Sequence, residues 1–216
     1  MSGKALVRFN IKNAKYALKG TGDTYENPVS LGYSDSISLE SNYSEKIIYG
    51  DGRAIFTIPN DKGKTGTLTV LTIDDLYEIA MKRRMKTARG TAEIKQLASV
   101  EHALYFETEY MDDTGSVQTA KTIIYGVTSG RPSESFNQTT EDINNNNVDY
   151  PLTIKGIKMK DSSGTNDYKD DKGNVVYVWQ ETCLPSDSDY ENFGKTITAP
   201  KAPASTQAAS TDPLSL

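Results

Sequence analysis

Residues 45–73 read EKIIYGDGRAIFTIPNDKGKTGTLTVLTI. Two short apolar runs, Ile47-Ile48-Tyr49 and Ala54 to Ile58, flank Gly50-Asp51-Gly52. Glycine and aspartate accept positive φ at little cost, so this triplet is a strong turn signal. NDKGKTG (60–66) reads as a second glycine-rich turn, and TLTVLTI then places Leu68, Val70 and Ile73 on one side of a strand. The stretch is therefore strand, turn, strand, turn, strand.

The alternation continues on both sides. ALVRFNIKNAKYAL (5–18) is apolar at Leu6, Val7, Phe9, Ile11, Ala14 and Tyr16, mostly with period two. SDSISLES (34–41) sets Ile37 and Leu39 against serines, the pattern of a half-buried strand. Downstream, EHALYFETEYM (101–111) alternates Ala103, Tyr105 and Glu107 against His102, Leu104 and Phe106. DDTGS (112–116) reads as a hairpin turn, and VQTAKTIIYGVT (117–128) as the antiparallel partner. YPLTIKGIKMK (150–160) and VVYVWQETC (175–183) complete the strand set. Between the strands at 117–128 and 150–160 lies a polar stretch, 129–149, longer than most connections in compact domains.

One segment has helical spacing. In IDDLYEIAMKRRMKTARG (73–90), Leu76, Ile79, Ala80 and Arg83 form one stripe, with Tyr77, Met81 and Met85 adjacent. Asp74 fits the N-cap, Asp75 the first turn, and Lys82, Arg83, Arg84 and Lys86 the negative end of the helix dipole. Gly90 fits as terminator, so the spacing predicts a helix over about 74–88. The expected fold is mainly β, a β-sandwich or barrel with one flanking helix, a long hairpin and an extended C-terminal tail. The expected organisation is one domain over 1–198 and an Ala/Pro/Ser/Thr-rich tail over 199–216, a composition that forms no core of its own.

Composition narrows the chemistry. The chain has 216 residues, 36% of them hydrophobic, a low share for a single compact core, which points to long polar loops or to surface buried on association. The formal net charge of −5 argues against non-specific nucleic-acid binding, which draws on a basic balance. One cysteine, Cys183, and one histidine, His102, leave no intrachain disulfide and no Cys/His metal site. MSGKALVRFN carries no apolar secretory core, and no run reaches the length of a membrane span.

Gly63-Lys64-Thr65-Gly66 lacks the earlier glycine of a phosphate loop and reads as a turn. His102 reads as a structural strand histidine and Cys183 as a small hydrophobe. Asp112-Asp113-Thr114-Gly115 suits a turn, with no second copy to make an aspartic dyad. The expectation is therefore no enzyme, no cofactor and no metal. A β-domain that binds carbohydrate or a receptor is the alternative, although the one tryptophan, Trp179, lies within an apolar strand.

Four passages together resemble the major tail proteins, or tail tube proteins, of long-tailed phages of Gram-positive bacteria, the phi13-like family. They are FNIKNAKYALKG (9–20) with YENPVSLGYSDSISLES (25–41); IIYGDGRAIFTIPNDKGKTGTLTVLTIDDLYEIA (47–80); EHALYFETEYMDDTGS (101–116) with KTIIYGVTSGRP (121–132); and the polar loop with Thr139 and Thr140 leading into PLTIKG (151–156). The helix entry, IDDLYEI, departs from the family in lacking a Pro-Asp pair, and the asparagine run at 144–147 is long.

The resemblance implies a virion protein, made in the host cytoplasm, that stacks as hexameric rings around a tape-measure protein. Tail terminator and distal tail proteins would be further partners, no membrane is involved, and DNA would pass the lumen during ejection without specific binding. It also implies that the hairpin region 43–64 contacts neighbouring subunits, with Tyr49, Asp51 and Arg53 as the assembly residues there. Arg131 and Pro132 would anchor the start of the polar loop, which would lie on a neighbour or on the outer wall.

Overall fold

The computed structural model describes residues 7–111, 115–133 and 147–204. In chain order the elements are β1 (Val7–Leu18), β2 (Val29–Ser30), β3 (Ser34–Gly50), β4 (Arg53–Val70), α1 (Asp75–Ala80), β5 (Arg84–Thr87), β6 (Gly90–Glu93), β7 (Glu101–Met111), β8 (Val117–Ser129), β9 (Val148–Ile154), β10 (Ile157–Lys158), β11 (Tyr177–Val178) and β12 (Gln180–Cys183). The fold is mainly β with a single short helix among the described residues.

Eight strands form one antiparallel sheet in the order β2-β1-β7-β8-β9-β4-β3, with β12 also on β8. Strands β7 and β8 lie at its centre and are buried on both faces. One face sends Leu104, Phe106 and Ile124 into a cluster with Tyr16, Leu68, Tyr77, Met81, Leu152 and Ile154. The other sends Ala103, Tyr105, Ile123 and Tyr125 into a second cluster with Ile157, Ile197 and Ala199. That two-sided burial explains why TIIYGV is nearly all apolar or small, since a strand covered on both faces has no polar side.

The sheet forks along one edge of β8. Lys121–Ile124 pair with β12, and Val127–Ser129 pair with β9. Gly126 stands at the fork with φ +62°, and a Cβ there would lie 2.5 Å from the Gly156 carbonyl oxygen. Only glycine allows both that conformation and that backbone approach.

Four expectations change. First, NDKGKTG is not a turn. Residues 60–66 lie inside β4, paired with Leu39 to Ser44 across one register shift near Ser41 and Tyr43, so β3 and β4 form one uninterrupted hairpin of 17 and 18 residues. Gly66 sits there because a Cβ would meet the Ser38 carbonyl at 2.2 Å across the ladder.

Second, the helix ends at Ala80. Asp74 caps it as expected, Oδ1 accepting from the Leu76 and Tyr77 amides at 2.8 and 3.4 Å. But Lys82 takes φ +57°, and Arg84 to Thr87 fold back as β5 against β6. The chain leaves the helix because Arg83 is drawn into the interior, so the basic residues do not complement a dipole. The inward stripe is Tyr77 and Met81, while Leu76 is exposed.

Third, Gly90 with φ +152° is the turn glycine of the β5–β6 hairpin, not a helix terminator. Fourth, 175–183 is two strands, β11 and β12, separated at Trp179, whose carbonyl accepts from the Tyr125 amide at 2.9 Å.

Of the expected tail, residues 199–202 pack on the domain, and 205–216 lie outside the described residues. Ala199 and Ala202 are buried. Lys160 donates its amide to the Pro200 carbonyl at 2.8 Å and accepts from the Ala202 amide at 2.7 Å. The Asp112–Thr114 part of the expected turn and residues 134–146 of the polar loop lie outside the described residues.

Candidate assembly surface

The β3–β4 hairpin divides into two parts. Its base, Lys64–Val70 of β4, pairs with β9. Beyond Gly63, the β4 segment pairs with β3 alone. Residues 43–61 therefore project as a two-stranded arm, exposed at every position except the tip residue Gly50. Asp51 (φ 51°) and Gly52 (φ 73°) close its tip as a two-residue loop with both residues left-handed, a hairpin turn whose twist suits the flanking strands.

Cross-strand register sets the faces of the arm. Ile48 opposes Phe56 and Lys46 opposes Ile58, while Ile47 opposes Thr57 and Tyr43 opposes Asp61. Near the tip Ile55 bulges out of register and covers Gly50, where a Cβ would meet the Ile55 Cδ1 at 2.1 Å. Large apolar side chains stand on both faces. Phe56 is 65% exposed and Tyr49 67%, with Ile47, Ile48, Ile55 and Ile58 between 40 and 54%. Tyr43 donates its hydroxyl to Glu45 Oε1 at 2.5 Å along one face, and that bond raises its pKa.

Such an arm is unusual for a free surface. Isolated two-stranded ribbons are marginal in water, contiguous exposed apolar patches mark interaction sites, and bare strand edges invite pairing. Here the outer edge of β3 has no partner among the described strands, and neither has the outer edge of β4 over Arg53–Gly63.

Of the residues singled out in the sequence, Tyr49, Asp51 and Arg53 come together at the arm tip. Arg131 and Pro132 do not join them. They follow β8, whose Ser129 pairs with Leu152 beside Gly66. From there to Arg53 is 13 positions along β4, about 40 Å at the usual strand rise. Arg131 is exposed; it forms an ion pair with Glu93 and donates to the Ile94 carbonyl. The chain then holds β9 through Gly130 N to Pro151 O at 2.8 Å and Ser133 N to Asp149 O at 3.4 Å.

Beside this point lies a buried polar network that sequence reading missed. Arg83 is 0% exposed. Its guanidinium donates to Glu78 from Nε (3.1 Å) and Nη2 (2.7 Å). Nη1 donates to the Ser129 carbonyl and hydroxyl, both at 3.1 Å, and to the Gly130 carbonyl at 2.6 Å. The guanidinium also lies 5.4 and 5.2 Å from the Tyr77 and Tyr150 ring centroids.

Tyr77 Oη lies 2.9 Å from Ser129 Oγ and 3.0 Å from His102 Nε2. His102 Nδ1 faces the Val100 carbonyl at 3.2 Å. Burial holds the imidazole down to about 4 and pushes the Tyr77 phenol up to about 12. Tyr150 Oη is buried without a hydrogen-bond partner; the other polar groups here fasten α1 to the sheet. Cys183 is buried, which pushes its thiol up, and Trp179 packs against the first core cluster.

Among the described residues, no group of three or more His, Cys, Asp or Glu side chains is placed to hold a metal ion. No described helix is long and apolar enough to cross a membrane. No protein-family model matches the chain, and no curated protein matches it.

Proposed function

We propose that this chain is a structural protein that assembles with copies of itself into stacked rings, forming the tail tube of a long-tailed phage. The observation that carries the reading is the β3–β4 arm, with apolar side chains on both faces and bare backbone on both outer edges. A surface of this kind is stable in water when something covers it, and repetition of one chain is the economical way to cover every copy. The ordered resemblance of most of residues 5–183 to tail tube proteins supplies the particular assembly: rings, six subunits, a tape-measure protein within, and terminator and distal tail proteins at the ends.

The acidic balance of the chain suits a conduit, because a wall without excess basic charge does not hold DNA phosphates. In this reading the protein is neither an enzyme nor a cofactor carrier. Tyr49, Asp51 and Arg53 touch a neighbouring subunit, and Arg131 and Pro132 anchor the start of a loop that lies on a neighbour or on the outer wall.

The test is negative-stain electron microscopy of the purified chain over a concentration series, with sedimentation velocity alongside. Rings or tubes of uniform width are expected, and deletion of residues 44–60 abolishes them. A chain that stays monomeric up to millimolar concentration, with its arm amides exchanging freely, overturns the reading.

A further inference from the structure

Asp51-Gly52 is the chain's one Asp-Gly step, and the chain has no Asn-Gly step. An aspartate carboxyl lies within reach of the next backbone amide nitrogen, and a following glycine has no side chain to screen that nitrogen. Aspartate precedes the small residue serine at three further positions, Asp35, Asp161 and Asp187.

The structure separates these four carboxylates. Asp35 Oδ2 accepts from the Asn147 side-chain amide at 3.3 Å. Asp161 accepts from the Ser163 hydroxyl at 2.6 Å and from the Thr165 amide and the Asn166 side chain, both at 3.0 Å. Asp187 Oδ2 accepts from the Leu184 amide at 2.7 Å. The Asp51 carboxylate alone of the four has no hydrogen-bond or ion-pair partner among the described residues. Asp51 and Gly52 are both exposed, and a Cβ on Gly52 would meet no atom within 4 Å.

The backbone at this step is also the easiest to release. Asp51 holds φ 51°, a conformation that residues with a side chain adopt at a cost. Its two-residue loop ends a ribbon that has no third strand beside it over residues 53–63. Opening such a tip breaks few contacts, which puts it at the low-stability end of the molecule.

We propose that Asp51 is a site of spontaneous covalent modification, isomerising to isoaspartate in the free subunit. The Gly52 amide nitrogen attacks Asp51 Cγ and an N–Cγ bond forms. The carboxyl hydroxyl leaves as water with the amide proton, and a five-membered cyclic imide results. Water then adds at the Asp51 main-chain carbonyl carbon and breaks its bond to the Gly52 nitrogen. The chain now runs through the side-chain carbonyl, and the former main-chain carbonyl is a free carboxylate. One water is lost and one regained, so mass is unchanged and no oxidant or cofactor is needed.

The product has one more backbone atom in a loop whose two left-handed residues set the twist of the flanking strands. Gly50 no longer stands opposite Arg53, and Tyr49 and Arg53 part. In the self-assembly reading, on which this consequence alone rests, a free subunit loses its arm tip with age, and a subunit whose tip is covered keeps it.

The test ages the purified full chain in warm, mildly acidic buffer and maps isoaspartate by peptide mass spectrometry and by isoaspartyl methyltransferase labelling. Isoaspartate at Asp51 should exceed that at Asp35, Asp161 and Asp187 severalfold, through an intermediate lighter by one water. Asp51→Asn, which closes the same ring with loss of ammonia, should accumulate it faster, and Asp51→Gly should show none at this position. A level at Asp51 no higher than at the three serine steps overturns the proposal.

Sedimentation of fresh and aged samples reads the consequence. The concentration needed for assembly should rise severalfold on ageing for the wild type and stay at its own fresh value for Asp51→Gly. Isoaspartate without a changed threshold overturns the role of the tip in assembly and leaves the modification standing. A chain that isomerises at Asp51 but never assembles supports the modification and overturns the tube reading.

Discussion

Arg83 Nη2 lies 2.7 Å from Glu78 Oε1, with the Arg83 side chain 0% and the Glu78 side chain 3% exposed. Two charges are thus taken out of water five positions apart, one on α1 and one just past its end. The pair survives burial because the guanidinium's remaining donors reach Ser129 and Gly130. It joins the helix to the end of β8, where the long polar loop begins.

Breaking that pair from one side leaves a buried charge alone. Arg83→Leu should cost about 3–5 kcal/mol in chemical denaturation. The double variant Glu78→Leu/Arg83→Leu should recover much of the loss, since it removes both charges. If the double variant is as unstable as the single, the carbonyl contacts of Arg83 rather than the ion pair hold this corner.

His102 gives a pH signature. Its imidazole is held down to about 4, by burial first and by the Arg83 charge to a lesser extent. An unfolded histidine titrates near 6.5, so the unfolded chain binds the proton first as pH falls. The neutral ring's contribution is intact above pH 6.5 and is lost progressively down to about 4, roughly 3 kcal/mol in all. His102→Gln should lack this component. Denaturation of both proteins at pH 7.5, 5.5 and 4 measures it, and parallel pH dependences would refute it.

The fork in β8 predicts a steep glycine effect. Gly126→Ala combines φ +62° with a Cβ 2.5 Å from the Gly156 oxygen, so backbone must move. A loss of more than about 3 kcal/mol is expected, against about 1 kcal/mol for Gly173→Ala, which is left-handed but open. Thermal unfolding followed by circular dichroism compares the two directly.

The arm predicts a separation of stability from assembly. Phe56→Ser with Ile58→Thr changes side chains that are 65% and 49% exposed. Monomer stability should shift by less than about 1 kcal/mol, while ring or tube formation fails. Sedimentation and denaturation on the same sample decide it; tubes formed by the double variant would remove the arm from the assembly contact.

Much of this molecule is local and was therefore legible. Period-two alternation identified β1, the start of β3, β7 and β9, because a strand's faces are set by its own pleat, and β-branched and aromatic residues after a turn identified β8. Gly50-Asp51-Gly52 announced the arm's turn through backbone conformations that other residues resist. Asp74 announced the helix start through a cap that spans only three residues. The reading of 60–66 as a turn failed because its glycines answer to neighbouring strands: Gly66 makes room for Ser38, and Gly63 for Ile154. The helix was drawn too long because its stripe counted Arg83 as a continuation, whereas Glu78 and Ser129 pull that residue inward.

The sequence by itself determined that this is a β protein, where its hairpin tip lies, that its net charge is acidic, and that its apolar content is low for a self-sufficient globule. The tertiary structure decided which edges are paired and which are bare. It decided that β8 forks at Gly126, that Arg83 is buried, and that Ala199 and Ala202 close one face of the core. It also left the Ser34 and Thr108 hydroxyls buried without a hydrogen-bond partner. The physical reason is range. Alternation, turns and caps depend on neighbours a few residues away, whereas pairing and burial depend on contacts such as Lys64 with Ile154 or Arg83 with Ser129, between segments that only the fold brings together.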